Sequence, residues 1–114
     1  MRHQESSLQI ACVKWFRLQY PKLLLTSFPN GGNRDRITGA ILKAEGAVAG
    51  SPDLFLFLPN KYFSGLAIEM KSEKGRQSES QIQWQKKAEL FGYKYVICRS
   101  FEEFRNEVEN YLKN

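Results

Sequence analysis

The sequence predicts an α/β fold: a mixed β-sheet flanked by helices on both faces, in the order α-α-β-β-α-β-α. Three observations carry that reading. Residues 53–58 form an almost continuous apolar run, Asp-Leu-Phe-Leu-Phe-Leu, of the kind found in strands covered on both faces. Two serine-led capping boxes, Ser78 to Gln81 and Ser100 to Glu103, open helices on either side of a further apolar segment, Tyr93 to Cys98. Helical periodicity dominates the N-terminal portion.

Taken in order, residues 4–20 read as a helix, with Leu8, Ala11, Cys12, Trp15 and Phe16 at the spacing of one buried face. Pro21 ends it. Pro29-Asn30-Gly31-Gly32-Asn33 is turn chemistry. A short helix follows through Ile37, Ala40, Ile41 and Ala44, closed by Gly46. Gly50-Ser51-Pro52 leads into the apolar strand, residues 59–65 form a loop, and Leu66 to Lys71 returns as its antiparallel partner. The helix from Ser78 stops at Gly92. The strand Tyr93–Cys98 is expected to run parallel to the preceding one across that helical crossover. A terminal helix turns Phe101, Phe104, Val108 and Tyr111 inward.

With 114 residues, the chain is expected to be a single domain spanning 1–114. Its 42% hydrophobic content supports a packed core, and no apolar run approaches the ~20 residues needed to span a bilayer. Met1 to Glu5 leads straight into the amphipathic pattern, so no signal peptide is expected. Cys12 and Cys98 lie in apolar stretches and read as buried free thiols, which suits a reducing cytoplasm. One histidine and two cysteines argue against structural zinc. Seventeen Lys and Arg against twelve Asp and Glu give a formal charge of +5, which favours a polyanionic partner such as nucleic acid.

Several polar groups stand where periodicity expects apolar ones. Glu69 and Lys71, two apart on a strand, project from one face. If Leu58 faces Leu66 across the loop, Asp53 falls opposite Lys71 and becomes a close neighbour of Glu69. On the first helix, Glu5 shares a face with Leu8, Cys12 and Phe16. Gln81 shares one with Trp84, Ala88 and Phe91. Crowded, buried carboxylates repel and are costly to ionise, and a divalent cation resolves both problems. Mg²⁺ takes a few carboxylate oxygens and retains water, leaving room for phosphate oxygens; the Met70 carbonyl is a further candidate ligand. Lys71 would orient or help deprotonate the attacking water, as phosphodiester hydrolysis requires. Each residue taken singly has a simpler account. Asp53 could cap a turn, Glu69 and Lys71 could be a solvated edge pair, Glu5 could favour a helix dipole, and Gln81 completes a capping box.

Together these residues resemble the PD-(D/E)XK nuclease superfamily, and more narrowly its VRR-NUC (viral-type replication-repair nuclease) branch. The resemblance covers nearly the whole chain. It runs from Glu5 and Gln9 through Pro29-Asn30-Gly31-Gly32, Gly46, Gly50-Ser51-Pro52-Asp53-Leu54 and Ile68-Glu69-Met70-Lys71, then Ser78, Gln81, Trp84 and Gly92-Tyr93. It implies a restriction-endonuclease-like core and a Mg²⁺- or Mn²⁺-dependent deoxyribonuclease. Asp53 and Glu69 match the metal-binding carboxylates, Lys71 the catalytic lysine, and Glu5 the helix carboxylate that completes the site directly or through water. Gln81 matches a supporting or DNA-contacting glutamine. Ser51 departs from the aliphatic residue that often precedes the proline, a difference confined to a loop.

Stand-alone members look like homodimeric Holliday junction resolvases, which implies a homodimer acting on four-way junctions and a phage or mobile-element origin. A junction has approximate two-fold symmetry, and one chain of this size carries one site, so a symmetric dimer supplies the second. With no appended DNA-binding domain expected, DNA contacts fall to the domain itself. Candidates are Asn30 and Gly31 through their backbone, and Arg34, Arg36, Lys43, Lys74, Arg76, Lys86 and Lys87 through phosphate. Other outcomes are the same chemistry on flaps or other repair and replication intermediates, a non-catalytic DNA-binding module of the same fold, or a basic structural protein.

Overall fold

Strand periodicity and helix capping decide the elements of this chain, whose computed structural model describes residues 2–28 and 36–114. The expected turn at residues 29–33, including Asn30 and Gly31, and Arg34 lie outside the described residues. The described elements run α1 (Arg2–Gln19), β1 (Leu25–Ser27), α2 (Arg36–Ala44), β2 (Leu54–Leu56), β3 (Leu66–Met70), α3 (Glu79–Leu90), β4 (Lys94–Cys98) and α4 (Phe101–Lys113). The expected order thus gains one strand, β1, between the first two helices. At three residues, it is too short to show a period in sequence.

The four strands form one mixed sheet in the order β1-β2-β3-β4. The first three pair antiparallel, while β3 and β4 run parallel across α3. Alternation then sorts side chains onto two faces. Leu54, Leu56, Leu66, Ile68, Met70, Val96 and Cys98 face α1 and α4, where they meet Cys12, Phe16, Phe104, Val108 and Tyr111. Fully burying each large apolar side chain there contributes ~1.5–3 kcal/mol. Phe55, Ala67 and Tyr95 face the other way, toward Trp84 of α3. Both faces of β2 and β3 are covered, as the apolar run at 54–56 requires.

The hairpin register differs from expectation. Leu66 pairs with Leu56, not Leu58, and Leu54 pairs with Ile68. Carried one residue further, the ladder brings Asp53 level with Glu69 rather than Lys71. Two contacts pull Leu58 out of the strand. Its carbonyl accepts the Tyr111 hydroxyl at 2.6 Å, and the following loop folds around Asn60, whose Oδ1 accepts the backbone N–H groups of Tyr62 and Phe63. The shift is two residues, so every side chain keeps its face.

The helix ends follow their capping chemistry. Ser78 caps α3 in a complete capping box with Gln81, and Gly92, at φ +92°, takes the chain out of the helix. Ser100 caps α4, but the Glu103 carboxylate reaches past the cap to the N–H of Arg99 at 2.7 Å. Five side chains at positions of the expected apolar periodicity point outward: Ala11, Ala40 and Ala44 are exposed, Ile41 is 53% exposed and Phe91 is 70% exposed. Phe91 lies beyond the last turn of α3, where the helical face no longer governs it.

Candidate active site

The centre of the site is Glu69, the sole polar or charged residue buried among those described, at 0% exposure. It sits on the α3 face of β3, between Ala67 and Lys71 in alternation. Its Oε1 accepts two donors, the Tyr95 hydroxyl at 2.5 Å and Gln77 Nε2 at 3.1 Å. Burial, with the Glu69 carboxylate hydrogen-bonded beside it, pushes the Tyr95 phenol far above its usual range, so it stays protonated and remains a donor. Glu69 Oε2 is buried and has no hydrogen-bond partner among the described residues. Lys71 Nζ lies 3.5 Å from it, on a side chain only 13% exposed. That is longer than the ~2.7–2.9 Å of a good charge-assisted hydrogen bond.

Asp53 precedes β2 at the same level of the sheet. Its Oδ2 accepts the Met70 N–H at 2.7 Å, which ties the start of β2 to the end of β3. The Met70 side chain points into the opposite core and is 1% exposed, so its backbone alone faces the chemistry. The Lys71 N–H donates to the Cys98 carbonyl at 3.0 Å, which fixes the backbone beneath its ammonium to β4.

Glu5, in the first turn of α1, comes over the end of β3, where its Oε2 accepts the Ser72 N–H at 3.3 Å. Gln81 lies in the first turn of α3, and its Oε1 accepts the Ser78 N–H at 2.8 Å, so its side chain completes the helix cap. Glu5, Asp53, Met70, Lys71 and Gln81 all line one cleft of about 1110 Å³, whose other wall is α2 and the loop after it. Among the described residues, no three carboxylate, histidine or cysteine side chains stand close enough to form a complete ligand group. Asp53 falls level with Glu69 when the β2–β3 ladder is carried one residue on, and Glu5 reaches the site from α1 at Ser72. Lys74 and Arg76 are exposed on the turn between β3 and α3. Arg36 opens α2, but its side chain lies outside the described residues.

Three residues that sequence reasoning did not single out hold this arrangement together. Tyr95 and Gln77 both grip Glu69. Arg99, just past β4, donates from Nη1 to the carbonyls of Ser72, Glu73 and Gly75 at 2.9, 3.3 and 2.7 Å, clamping the turn that follows Lys71. Tyr95 had a signal in the sequence: the parallel ladder gives it the face of Glu69, where it is the only hydroxyl on its strand. Gln77 and Arg99 had none, because both act through a turn whose path periodicity does not describe.

The donor chemistry suits a hard divalent cation. All the candidate ligands are oxygens, the set favoured by Mg²⁺ and Mn²⁺. Glu69 Oε2, buried without a hydrogen bond among the described residues, is the kind of acceptor that a cation satisfies.

Comparison with known proteins agrees with this architecture. No helix among the described residues is long and apolar enough to cross a membrane. No curated protein matches the chain. A solved structure described as a VRR_NUC domain protein superimposes with a TM-score of 0.80 over 96% of this chain and 88% of its own, at 20% identity, and so shares the fold. The family profile of the VRR-NUC domain matches residues 2–102. The chain therefore belongs to the VRR-NUC family, nucleases of the PD-(D/E)XK type that act on DNA.

Proposed function

We propose that this protein is a Mg²⁺- or Mn²⁺-dependent endodeoxyribonuclease that cuts branched DNA, four-way junctions foremost, as a homodimer. The observation that carries the metal-dependent reading is the buried Oε2 of Glu69, which has no hydrogen bond among the described residues and only the Lys71 ammonium at 3.5 Å. Asp53 and Glu69 hold the cation, the Met70 carbonyl offers a further oxygen, and Glu5 contributes from the α1 side through water. When bound, the cation polarises the phosphoryl group and stabilises the charge that develops on it. Lys71 Nζ faces the scissile phosphate, offsets its negative charge and orients the attacking water. Gln81 supports the cleft wall near the DNA. Asn30, Gly31, Arg34, Arg36, Lys74 and Arg76 contact the phosphate backbone and set the register of the duplex.

The junction assignment rests on symmetry. One site per chain cuts one strand, and paired incisions at related positions need a two-fold dimer. Two buried free thiols suit a reducing compartment, in keeping with action in the cytoplasm, including that of a bacterial host if the protein is phage-encoded.

The test is cleavage of an end-labelled four-way junction by wild type and Lys71→Ala, with Mg²⁺, Mn²⁺ or chelator, alongside flap, splayed-arm and linear duplex substrates. Paired incisions in the junction are expected with either metal, and none with chelator or Lys71→Ala. Cutting that survives chelation or the substitution refutes the mechanism. A clear preference for linear duplex refutes the junction assignment while leaving the chemistry intact.

A further inference from the structure

A carboxylate presents two equivalent oxygens, and its terminal torsion is broad and roughly two-fold. A glutamate left to itself therefore exchanges them freely. Glu69 is not left to itself. Both of its hydrogen-bond donors, the Tyr95 hydroxyl and Gln77 Nε2, converge on the same oxygen, Oε1. They arrive from different elements, one from within β4 and one from the turn just ahead of α3. Gln77 Nε2 is itself held, since it also donates to Gln85 Oε1 at 2.9 Å, and Gln85 Nε2 donates in turn to Glu89 Oε2 at 3.0 Å. The result is a chain of contacts from the buried carboxylate along α3. Oε2 is left on the Lys71 side, with that ammonium at 3.5 Å and no hydrogen bond among the described residues.

We infer that Tyr95 and Gln77 are positioning residues, which lock the Glu69 carboxylate by Oε1 so that Oε2 alone is presented to a divalent cation. This rests on the metal-dependent reading above and adds to it the groups that set the geometry of the ligand. The glutamine that acts on Glu69 is Gln77, while Gln81, four residues on, is engaged in the helix cap. Two donors on one oxygen make a one-sided clamp: removing either frees the torsion and weakens the remaining hold. Groups that orient a metal ligand from behind typically change metal affinity 10–100-fold when lost.

The experiment is Mn²⁺ binding in the absence of DNA, followed by the electron paramagnetic resonance signal of free Mn²⁺, for wild type, Tyr95→Phe and Gln77→Leu. Circular dichroism and thermal unfolding without metal establish that each variant is folded. Each substitution is expected to weaken Mn²⁺ binding by roughly 10-fold or more while the metal-free fold persists, an effect that a merely structural role would not produce. Should Tyr95→Phe fail to fold, Gln77→Leu, at a half-buried position outside the helix, carries the test alone. Mn²⁺ affinity within two-fold of wild type in the folded variants overturns this inference and leaves the metal-dependent reading standing. A wild type that binds no Mn²⁺ overturns both.

Discussion

Arg99 offers the sharpest test of how the site is held. Its Nη1 donates to three carbonyls of one turn, those of Ser72, Glu73 and Gly75. That turn begins one residue after Lys71, and its Ser72 N–H also meets Glu5. Replacing Arg99 with Met keeps much of the aliphatic stem and removes the donors. The bond to Glu73 is 3.3 Å and exposed, so it contributes little. The other two are 2.9 and 2.7 Å and partly buried. At ~1–1.5 kcal/mol for each, given that the freed carbonyls can turn to water, the loss is about 2–3 kcal/mol. Urea unfolding of wild type and Arg99→Met measures it as a lower midpoint at unchanged slope. Arg99→Lys is expected to recover part of the loss, because all three bonds come from the single nitrogen Nη1 and an ammonium also carries three donors, on a shorter stem. Nuclease activity under conditions where both proteins are folded is expected to fall as well, since Lys71 loses the fixed backbone on its C-terminal side. A loss under ~0.5 kcal/mol together with unchanged cleavage would refute the clamp.

Further perturbations follow from the same geometry. Gly50 sits at φ +85°, and a Cβ there would lie 2.2 Å from the Ser80 carbonyl oxygen. Gly50→Ala therefore adds ~1–3 kcal/mol of backbone strain to a clash that displaces the start of α3, measurable as a lower thermal midpoint. An unchanged midpoint would show that the loop does not pack against α3. Burial pushes Cys12 from its usual 9.0 to about 11, and burial, with smaller contributions from neighbouring acidic groups, pushes Cys98 to about 12. Both thiols are expected to resist a thiol reagent at neutral pH in the native state and to react after denaturation. Because the folded protein holds these protons when the unfolded chain releases them, the stability they contribute is complete below pH 9 and declines toward about 12, which alkaline unfolding titration reads directly. Lys74→Ala combined with Arg76→Ala is expected to lower the salt dependence of DNA binding by on the order of one to two phosphate contacts. A slope equal to wild type would place the DNA elsewhere.

The pairing of Asp53 with Glu69 was legible because alternation forgives an even slip. The hairpin register is two residues from the expected one, yet parity puts Asp53, Glu69 and Lys71 on the same face in either case. The helix caps were equally legible, since Ser78 and Gln81 satisfy each other within one turn and need no tertiary partner. What periodicity missed depends on chain paths between elements. Gln77 and Gln81 flank the same serine, and only the course of the turn before α3 decides that the first reaches Glu69 and the second serves the cap. Likewise, the cleft side of Glu5 was visible from the helical repeat, but its contact with the Ser72 N–H depends on how far the turn after β3 climbs over α1.

Glu69 is hard to explain by stability alone. Its neighbours on the same face include Ala67 and Tyr95, both buried, and a β-branched apolar residue would suit that strand position. A buried ionic pair commonly gains no stability over well-packed hydrophobic groups. Here the pair is also an imperfect one, at 3.5 Å, with one carboxylate oxygen unsatisfied. An unsatisfied buried acceptor costs ~1–3 kcal/mol. Yet the other oxygen is doubly hydrogen-bonded, from two separate elements, so the surroundings are fitted to a carboxylate rather than merely tolerant of one. A group whose back is fully satisfied and whose front is not is arranged for a ligand that arrives at the front. On the metal-dependent reading proposed above, that ligand is a cation held by Glu69 and by Asp53, just ahead of β2, with Lys71 lining the cleft from the same side.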